Sequence, residues 1–137
     1  MKTIVTGGAG FIGSHVSELL IAQGHEVLVV DNLTSGRLEN VKSVASHPRF
    51  KFANADIRDL SSLQALFEGV DWVFHFAGLA DIVPSIEMPS QYYSTNVSGT
   101  FNVLECAPGF PKKRLHANYC PAHPFGLRVI SFTIIKT

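Results

Sequence analysis

TGGAGFIGSH, residues 6–15, puts glycine at positions 7, 8, 10 and 13, directly behind the short apolar run TIV. Glycine costs backbone entropy wherever it is used, so a cluster this dense marks a place where the main chain must be bare. From Phe11 onward the period changes. Ile12, Val16, Leu19 and Leu20 recur at helical spacing, and Gly24 follows as a stop signal. The quoted stretch therefore reads as the tight turn between a first buried strand, KTIVTGG, and a first helix.

The same alternation runs on along the chain. HEVLVVDN is a second apolar strand ending in Asp31, and SGRLENVKSVASH a short helix closed by Pro48. FKFANAD is a third strand with a polar end at Asn54 and Asp56. SSLQALFEG opens with Ser61 and places Gln64 three residues on, a capping-box pattern, with Leu63, Leu66 and Phe67 as the buried face. DWVFHFAG is a fourth strand, and MPSQYYSTNVSGTFNVLECA a longer helix. In that helix Pro89 fits the first turn, and Tyr93, Val97, Phe101 and Leu104 form its apolar stripe. Near-continuous apolar strands alternating with helices predict an α/β fold, a doubly wound parallel sheet of Rossmann type covered on both faces, with the natural strand order 3-2-1-4. The sheet is expected to be truncated after about the fifth strand.

In that setting the glycines have separate uses. Counted from Gly8 the pattern is G-x-G-x-x-G (Gly8, Gly10, Gly13); counted from Gly7 it is G-x-x-G-x-x-G. An early glycine permits the sharp turn, Gly10 lets the backbone approach a pyrophosphate, and Gly13 lets the helix sit close to the strand. Free amides at the helix start, with the dipole behind them, favour an anion. Asp31 lies 18 residues after Gly13, close to the spacing of a carboxylate that binds adenosine ribose. Such a carboxylate accepts from the ribose hydroxyls and repels a 2′-phosphate, which favours NAD over NADP, although Arg37 nearby tempers that preference.

Bulk composition fits one ordinary domain: 137 residues, 46% apolar and 16% charged. No apolar stretch is long enough to cross a bilayer and no leader precedes the first strand, so a cytoplasmic location is the default expectation. Eleven acidic and eleven basic residues give a formal net charge of zero, which argues against nucleic acid or an anionic membrane as partner. The charges are unevenly spread. All acidic residues lie between Glu18 and Glu105, whereas 106–137 holds Lys112, Lys113, Arg114, Arg128 and Lys136, both cysteines and four of the seven prolines. Composition thus breaks near residue 106, dividing the chain into 1–107, an NAD-binding Rossmann domain, and 108–137, an atypical tail in which LRVISFTII is a candidate edge strand.

TGGAGFIGSH, VVDNLTSGRLENV, ADIRD and VFHFAGLADIVPSIEMPSQYYSTNVSGTFNVLECA together resemble the extended short-chain dehydrogenase/reductases, specifically the NAD-dependent nucleotide-sugar epimerases and dehydratases. The resemblance covers residues 2–107, and DNLTSGRLENV followed by HFAG looks most like the UDP-glucose and UDP-N-acetylglucosamine 4-epimerases. Such epimerases often carry a lysine just after FAGL, where this chain has Ala80. The resemblance implies NAD as cofactor, a UDP-sugar as ligand and a homodimer. It also implies roles. Gly7, Gly10, Phe11 and Ile12 would wrap the pyrophosphate; Asp31 and Asn32 would hold the adenosine ribose; Asp56 and Ile57 would flank the adenine. Phe76, Ala77 and Gly78 would line the cofactor at the end of strand four, and Asn96 would face it from the next helix.

The family chemistry moves a hydride between a sugar carbon and NAD while a tyrosine takes the hydroxyl proton; a nearby lysine favours the phenolate. It requires Ser/Thr at the end of a fifth strand, then Tyr-x-x-x-Lys. The tyrosines here are Tyr92, Tyr93 and Tyr119, and four positions on stand Asn96, Val97 and His123. No catalytic residue is assigned. Two readings follow. One is the NAD-binding portion of a nucleotide-sugar 4-epimerase, inactive alone; a fragment of a dehydratase or decarboxylase is its variant. The other is a non-catalytic dinucleotide-binding module. Cys106, His116, Cys120 and His123 match no common zinc spacing, and no metal is expected. His15 reads as a helix-surface residue and His75 as a strand-end residue.

Overall fold

The computed structural model describes residues 1–107, together with the backbone of 115–119 and 130–135. Four strands, β1 (Lys2–Thr6), β2 (Glu26–Asp31), β3 (Phe50–Asn54) and β4 (Trp72–His75), form a parallel sheet in the order β3-β2-β1-β4. Register aligns the carboxyl ends: Thr6 pairs with Val30 and with His75, and Asp31 with Asn54. The turns after these strands therefore gather along one edge of the sheet, where open α/β folds place their ligands. Beyond β4 the sheet changes sense. The strand β6 (Ile130–Ile135) runs antiparallel to β4, and β5 (Leu115–Tyr119) runs antiparallel to β6 at the margin.

Side chains on successive strand residues point to opposite faces, and both faces are covered. Ile4 and Val30 enter one cluster with Leu63, Phe67, Val73 and Val103; Val5 and Val29 enter another with Leu20, Ile21 and Val27. The first is capped by α2 (Leu60–Leu66) and α5 (Thr100–Cys106), the second by α1 (Phe11–Ala22).

Local details depart from the periodicity reading in four places. Helix α1 buries Gly13, Ser14, Ser17, Leu20 and Ile21, while Ile12 and Leu19 are exposed. At its first turns, Gly13 to Ser17, the helix sits so close that the buried positions are small, while Leu20 and Ile21 fill the core further along. Helix α2 starts from Asp59, whose carboxylate accepts from the Ser61 and Ser62 amides, so the cap lies two residues before Ser61. The segment after β2 is a single 3₁₀ turn, Leu38–Val41, followed by further turns rather than a helix reaching Pro48. Finally, beyond the short α3 (Ile82–Glu87), Pro89–Cys106 is helical throughout, as α4 (Pro89–Tyr93), a π-helical stretch (Ser94–Gly99) and α5. It buries Tyr92, Gly99 and Val103, and Tyr93, Val97 and Phe101 turn outward. Gly99 sets this orientation: a Cβ there would sit 2.6 Å from Ile57 Cδ1, so the helix meets the loop after β3 on its glycine side.

Candidate cofactor-binding site

The carboxyl ends of the strands open onto a cleft walled by Gly7, Gly10, Asp31, Asn32, Ile57, Phe76, Ala77 and Gly78, all anticipated from the sequence. Its walls are completed by Thr34, Ser35, Gly36, Arg58, Leu79, Gln91 and Thr95.

The glycine turn forms the floor. Gly7 has φ +68°, and its amide donates to the Val30 carbonyl at 2.8 Å. A Cβ on Gly7 would lie 2.5 Å from the Ala77 nitrogen, so the turn is pressed against the end of β4. A Cβ on Gly13 would lie 2.3 Å from the Gly7 carbonyl oxygen, which is how closely α1 sits on the turn. Gly10 differs: its Cβ would meet only that same oxygen, at 3.1 Å, and otherwise faces open space. The Gly10 amide donates back to Gly7, and Ser14 donates to Gly10. The next amides, of Phe11, Ile12 and Gly13, have no carbonyl four residues back within the helix to bond, and among the described residues no backbone acceptor takes them. A bare surface with free donors at a helix start suits a diphosphate. The side chains of Phe11 and Ile12 point to solvent, 80% and 61% exposed.

Asp31 ends β2 and is nearly buried. Its Oδ2 accepts from the Ala9 amide at 3.0 Å and its Oδ1 from the Leu33 amide at 2.8 Å. One lone pair on each oxygen thereby anchors the carboxylate, and the others remain for a ligand hydroxyl. Leu33 adopts φ +60°, the only non-glycine residue to do so among those described. Left-handed backbone at a leucine costs roughly 1–2 kcal/mol, and the hydrogen bond to Asp31 helps hold it. Gly36 completes the fit, since a Cβ there would lie 2.8 Å from both Asp31 oxygens.

Asn32 and Asp56 meet across the ends of β2 and β3: Asn32 Nδ2 donates to Asp56 Oδ2 at 3.0 Å. Asp56 also receives the Arg58 side chain, with Nη2 at 2.6 Å and Nε at 3.0 Å from its oxygens, and the Arg58 amide. These hydrogen bonds, foremost the guanidinium's, hold the Asp56 carboxyl well below the usual carboxylate range. Asn96 sits in the π-helical stretch, a feature frequent at functional sites. Its amide is engaged at both ends with one residue, accepting from Leu79 N–H and donating to Leu79 C=O, each at 2.8 Å. It thus shapes the loop after β4 rather than lining the cleft itself.

Directly beneath the floor lies His75, wholly buried. Its Nδ1 is 2.6 Å from Thr6 Oγ1 and its Nε2 is 3.0 Å from Thr100 Oγ1. Burial lowers its pKa to about 4, so at neutral pH the ring is uncharged, with one donor and one acceptor nitrogen for the two hydroxyls.

The residues missed in the sequence fall into three groups. Thr34, Ser35 and Gly36 follow an Asp-Asn pair at a strand end, a local turn signal that could have flagged them. Arg58 and Leu79 directly follow the anticipated Ile57 and Gly78, whereas Gln91 and Thr95 come to the cleft only through tertiary packing. His116, Cys120 and His123 lie outside the residues whose side chains are described; among the described residues no cluster of His, Cys, Asp and Glu could hold a metal ion. No helix among them is long and apolar enough to cross a membrane.

The parallel sheet, its glycine-floored first crossover and the acid at the end of β2 define a Rossmann-type domain. The family model for GDP-mannose 4,6 dehydratase matches residues 4–118. UDP-glucose 4-epimerase uge1 of Schizosaccharomyces pombe is 40% identical over 107 residues, covering 75% of this chain and 30% of its own. Among solved structures, the dTDP-glucose 4,6-dehydratase DesIV of Streptomyces venezuelae, with NAD bound, is 42% identical at TM-score 0.73, over 77% of this chain and 35% of that one. The UDP-glucose 4-epimerase of Thermotoga maritima, with UDP-glucose, is 39% identical at TM-score 0.71, over 77% and 33%. The chain belongs to the extended short-chain dehydrogenase/reductase family of nucleotide-sugar epimerases and dehydratases. It spans about a third or less of the length of the curated relatives it matches.

Proposed function

We propose that this chain is the NAD-binding portion of a nucleotide-sugar 4-epimerase, and that alone it holds NAD without converting a sugar. One observation carries the binding half: the Asp31 carboxylate is fixed to the glycine turn through Ala9, beside a bare Gly10 and the free amides that open α1. Acceptors for ribose hydroxyls and donors for a diphosphate thus stand in one cleft at fixed separation. When bound, NAD would supply the hydride acceptor. The chain's own part is to grip the adenosine half: Asp31 accepts from the ribose hydroxyls, the amides of Phe11 and Ile12 face the diphosphate, and Ile57 offers an apolar wall to the adenine. Phe76, Ala77 and Gly78 form the remaining wall at the end of β4.

The absence of turnover follows from the tyrosines. Tyr92 is buried in the helix contact and Tyr93 is 65% exposed, away from the cleft. Neither is followed four residues on by the lysine that would favour a phenolate; nor is Tyr119. Purified chain with NAD and UDP-glucose should give no UDP-galactose above a blank lacking protein, while calorimetry shows NAD binding. Conversion above the blank would overturn the inactive half, and absence of NAD binding the other.

A dehydratase or decarboxylase origin is the second reading, supported by the identity to DesIV, which matches that to the epimerases. A UDP-sugar as the wider ligand and a cytoplasmic location belong to the same proposal. So does a homodimer, for which the exposed Tyr93, Val97 and Phe101 give an apolar surface on one helix; sedimentation at two concentrations tests it.

A further inference from the structure

Ala9 is the pivot between the glycine turn and α1, and both sides of it are held from the segment after β2. Its amide donates to Asp31 Oδ2. Its carbonyl accepts twice, from the Arg37 amide at 3.0 Å and from the side-chain amide of Asn40 at 2.7 Å. Asn40 lies in the 3₁₀ turn Leu38–Val41, 31 residues along the chain from Ala9, and does not line the cleft. The Ala9 carbonyl belongs to the same rigid peptide plane as the Gly10 amide, and that amide closes the turn onto Gly7. Whatever fixes the Ala9 carbonyl therefore fixes the direction in which the following amides of Phe11 and Ile12 emerge.

Resting on the NAD reading above, we infer that Asn40 is a positioning residue for the diphosphate subsite: it touches no ligand, and it orients the amides that do. A donor is what the geometry demands at that position. The Ala9 carbonyl can only accept, so an isosteric carboxylate would meet it with repulsion and add negative charge on the diphosphate side.

The test uses the 137-residue chain and the variants Asn40→Ala and Asn40→Asp, titrated with NAD and with adenosine by amide-resolved nuclear magnetic resonance. Asn40→Ala should weaken NAD about three- to tenfold, the order expected for one lost orienting hydrogen bond, and leave adenosine within about twofold. Asn40→Asp should weaken NAD further than Asn40→Ala, again sparing adenosine. A merely structural role would lower both ligands together, and that result overturns the inference. So does an Asn40→Ala chain that binds NAD as the parent does. A parent chain that binds no NAD overturns the cofactor reading itself, and is thereby told apart from failure at Asn40 alone.

Discussion

Replacing Gly10 and Gly13 by alanine, one at a time, should separate folding from binding within one turn of chain. At Gly13 two effects oppose. Alanine in a helix is favoured over glycine by roughly 1 kcal/mol. Against that, the added Cβ falls 2.3 Å from the Gly7 carbonyl oxygen and 2.7 Å from Gly8 Cα. Both are backbone atoms of a turn already pressed against the end of β4, so neither can swing aside as a side chain tip would. Overpacking typically costs about 1–3 kcal/mol, and a clash this deep with backbone belongs at the upper end. Gly13→Ala should therefore lose about 2 kcal/mol net.

At Gly10 the balance differs. Its backbone, φ −76° and ψ 176°, is open to any residue, and the new Cβ meets one atom at 3.1 Å. Loss of glycine from an N-cap costs no more than about 1 kcal/mol. The methyl group would, however, occupy the surface a diphosphate approaches, and NAD should weaken by about tenfold or more. Urea unfolding followed by circular dichroism reads the first quantity and calorimetry with NAD the second. The reasoning fails if Gly13→Ala is as stable as the parent, or if Gly10→Ala unfolds at lower urea than Gly13→Ala while binding NAD normally.

Acid should weaken the fold through His75. Its pKa is about 4 in the folded chain against an ordinary 6.5, so stability is full above about pH 6.5. It falls as the unfolded chain takes up the proton, and levels off below about pH 4, a loss on the order of 3 kcal/mol. Urea midpoints measured across that window check the sign, and His75→Gln should flatten the slope; an unchanged slope in that variant would assign the acid sensitivity elsewhere. Asp31→Ala should weaken NAD and narrow its advantage over NADP, and should cost about 1–3 kcal/mol because the Ala9 amide loses its acceptor. Equal selectivity in calorimetric titrations of the two cofactors would remove Asp31 from the ribose.

The strand order and the place of the cleft were legible because they rest on patterns local to the chain: apolar runs of strand length, helical spacing between them, and glycines at one junction. Asp31 was legible for the same reason, as the acid closing the second run. Where local pattern misled, packing geometry was the cause. Of the stripe Ile12, Val16, Leu19 and Leu20, Leu20 is buried and Val16 packs against the core, but Ile12 and Leu19 face solvent, and Gly13, Ser14 and Ser17 make the closest part of the contact, where close approach selects for small size rather than hydrophobicity. In the stripe Tyr93, Val97, Phe101 and Leu104, the first three likewise face outward, since Gly99 brings the opposite side against Ile57, while Leu104 packs against the core.

What local pattern reveals least is how the cleft keeps its shape, because outside the turn after β2 that depends on partners far apart in sequence. Each loop at a strand's carboxyl end is clasped by an Asn or Asp side chain. After β1, the two sides of Ala9 are taken by Asp31 and Asn40. After β2, Asp31 and Asn32 hold the amides of Leu33 and Thr34. After β3, Asn102 Nδ2 donates to the carbonyls of Ile57 and Arg58, each at 3.0 Å. After β4, Asn96 closes on both backbone groups of Leu79. Short side chains of this kind carry little conformational entropy to lose and can meet backbone donors and acceptors alike. Loops gripped this way present a preformed surface, so less ordering has to accompany ligand binding. The asparagines at 40, 96 and 102 are thus better understood as the supports of the cleft than as its contacts. Reading the sequence for ligand-touching residues named Asp31, Asn32 and Asn96 as contacts and passed over Asn40 and Asn102, whose backbone partners lie 31 and 44–45 residues away along the chain.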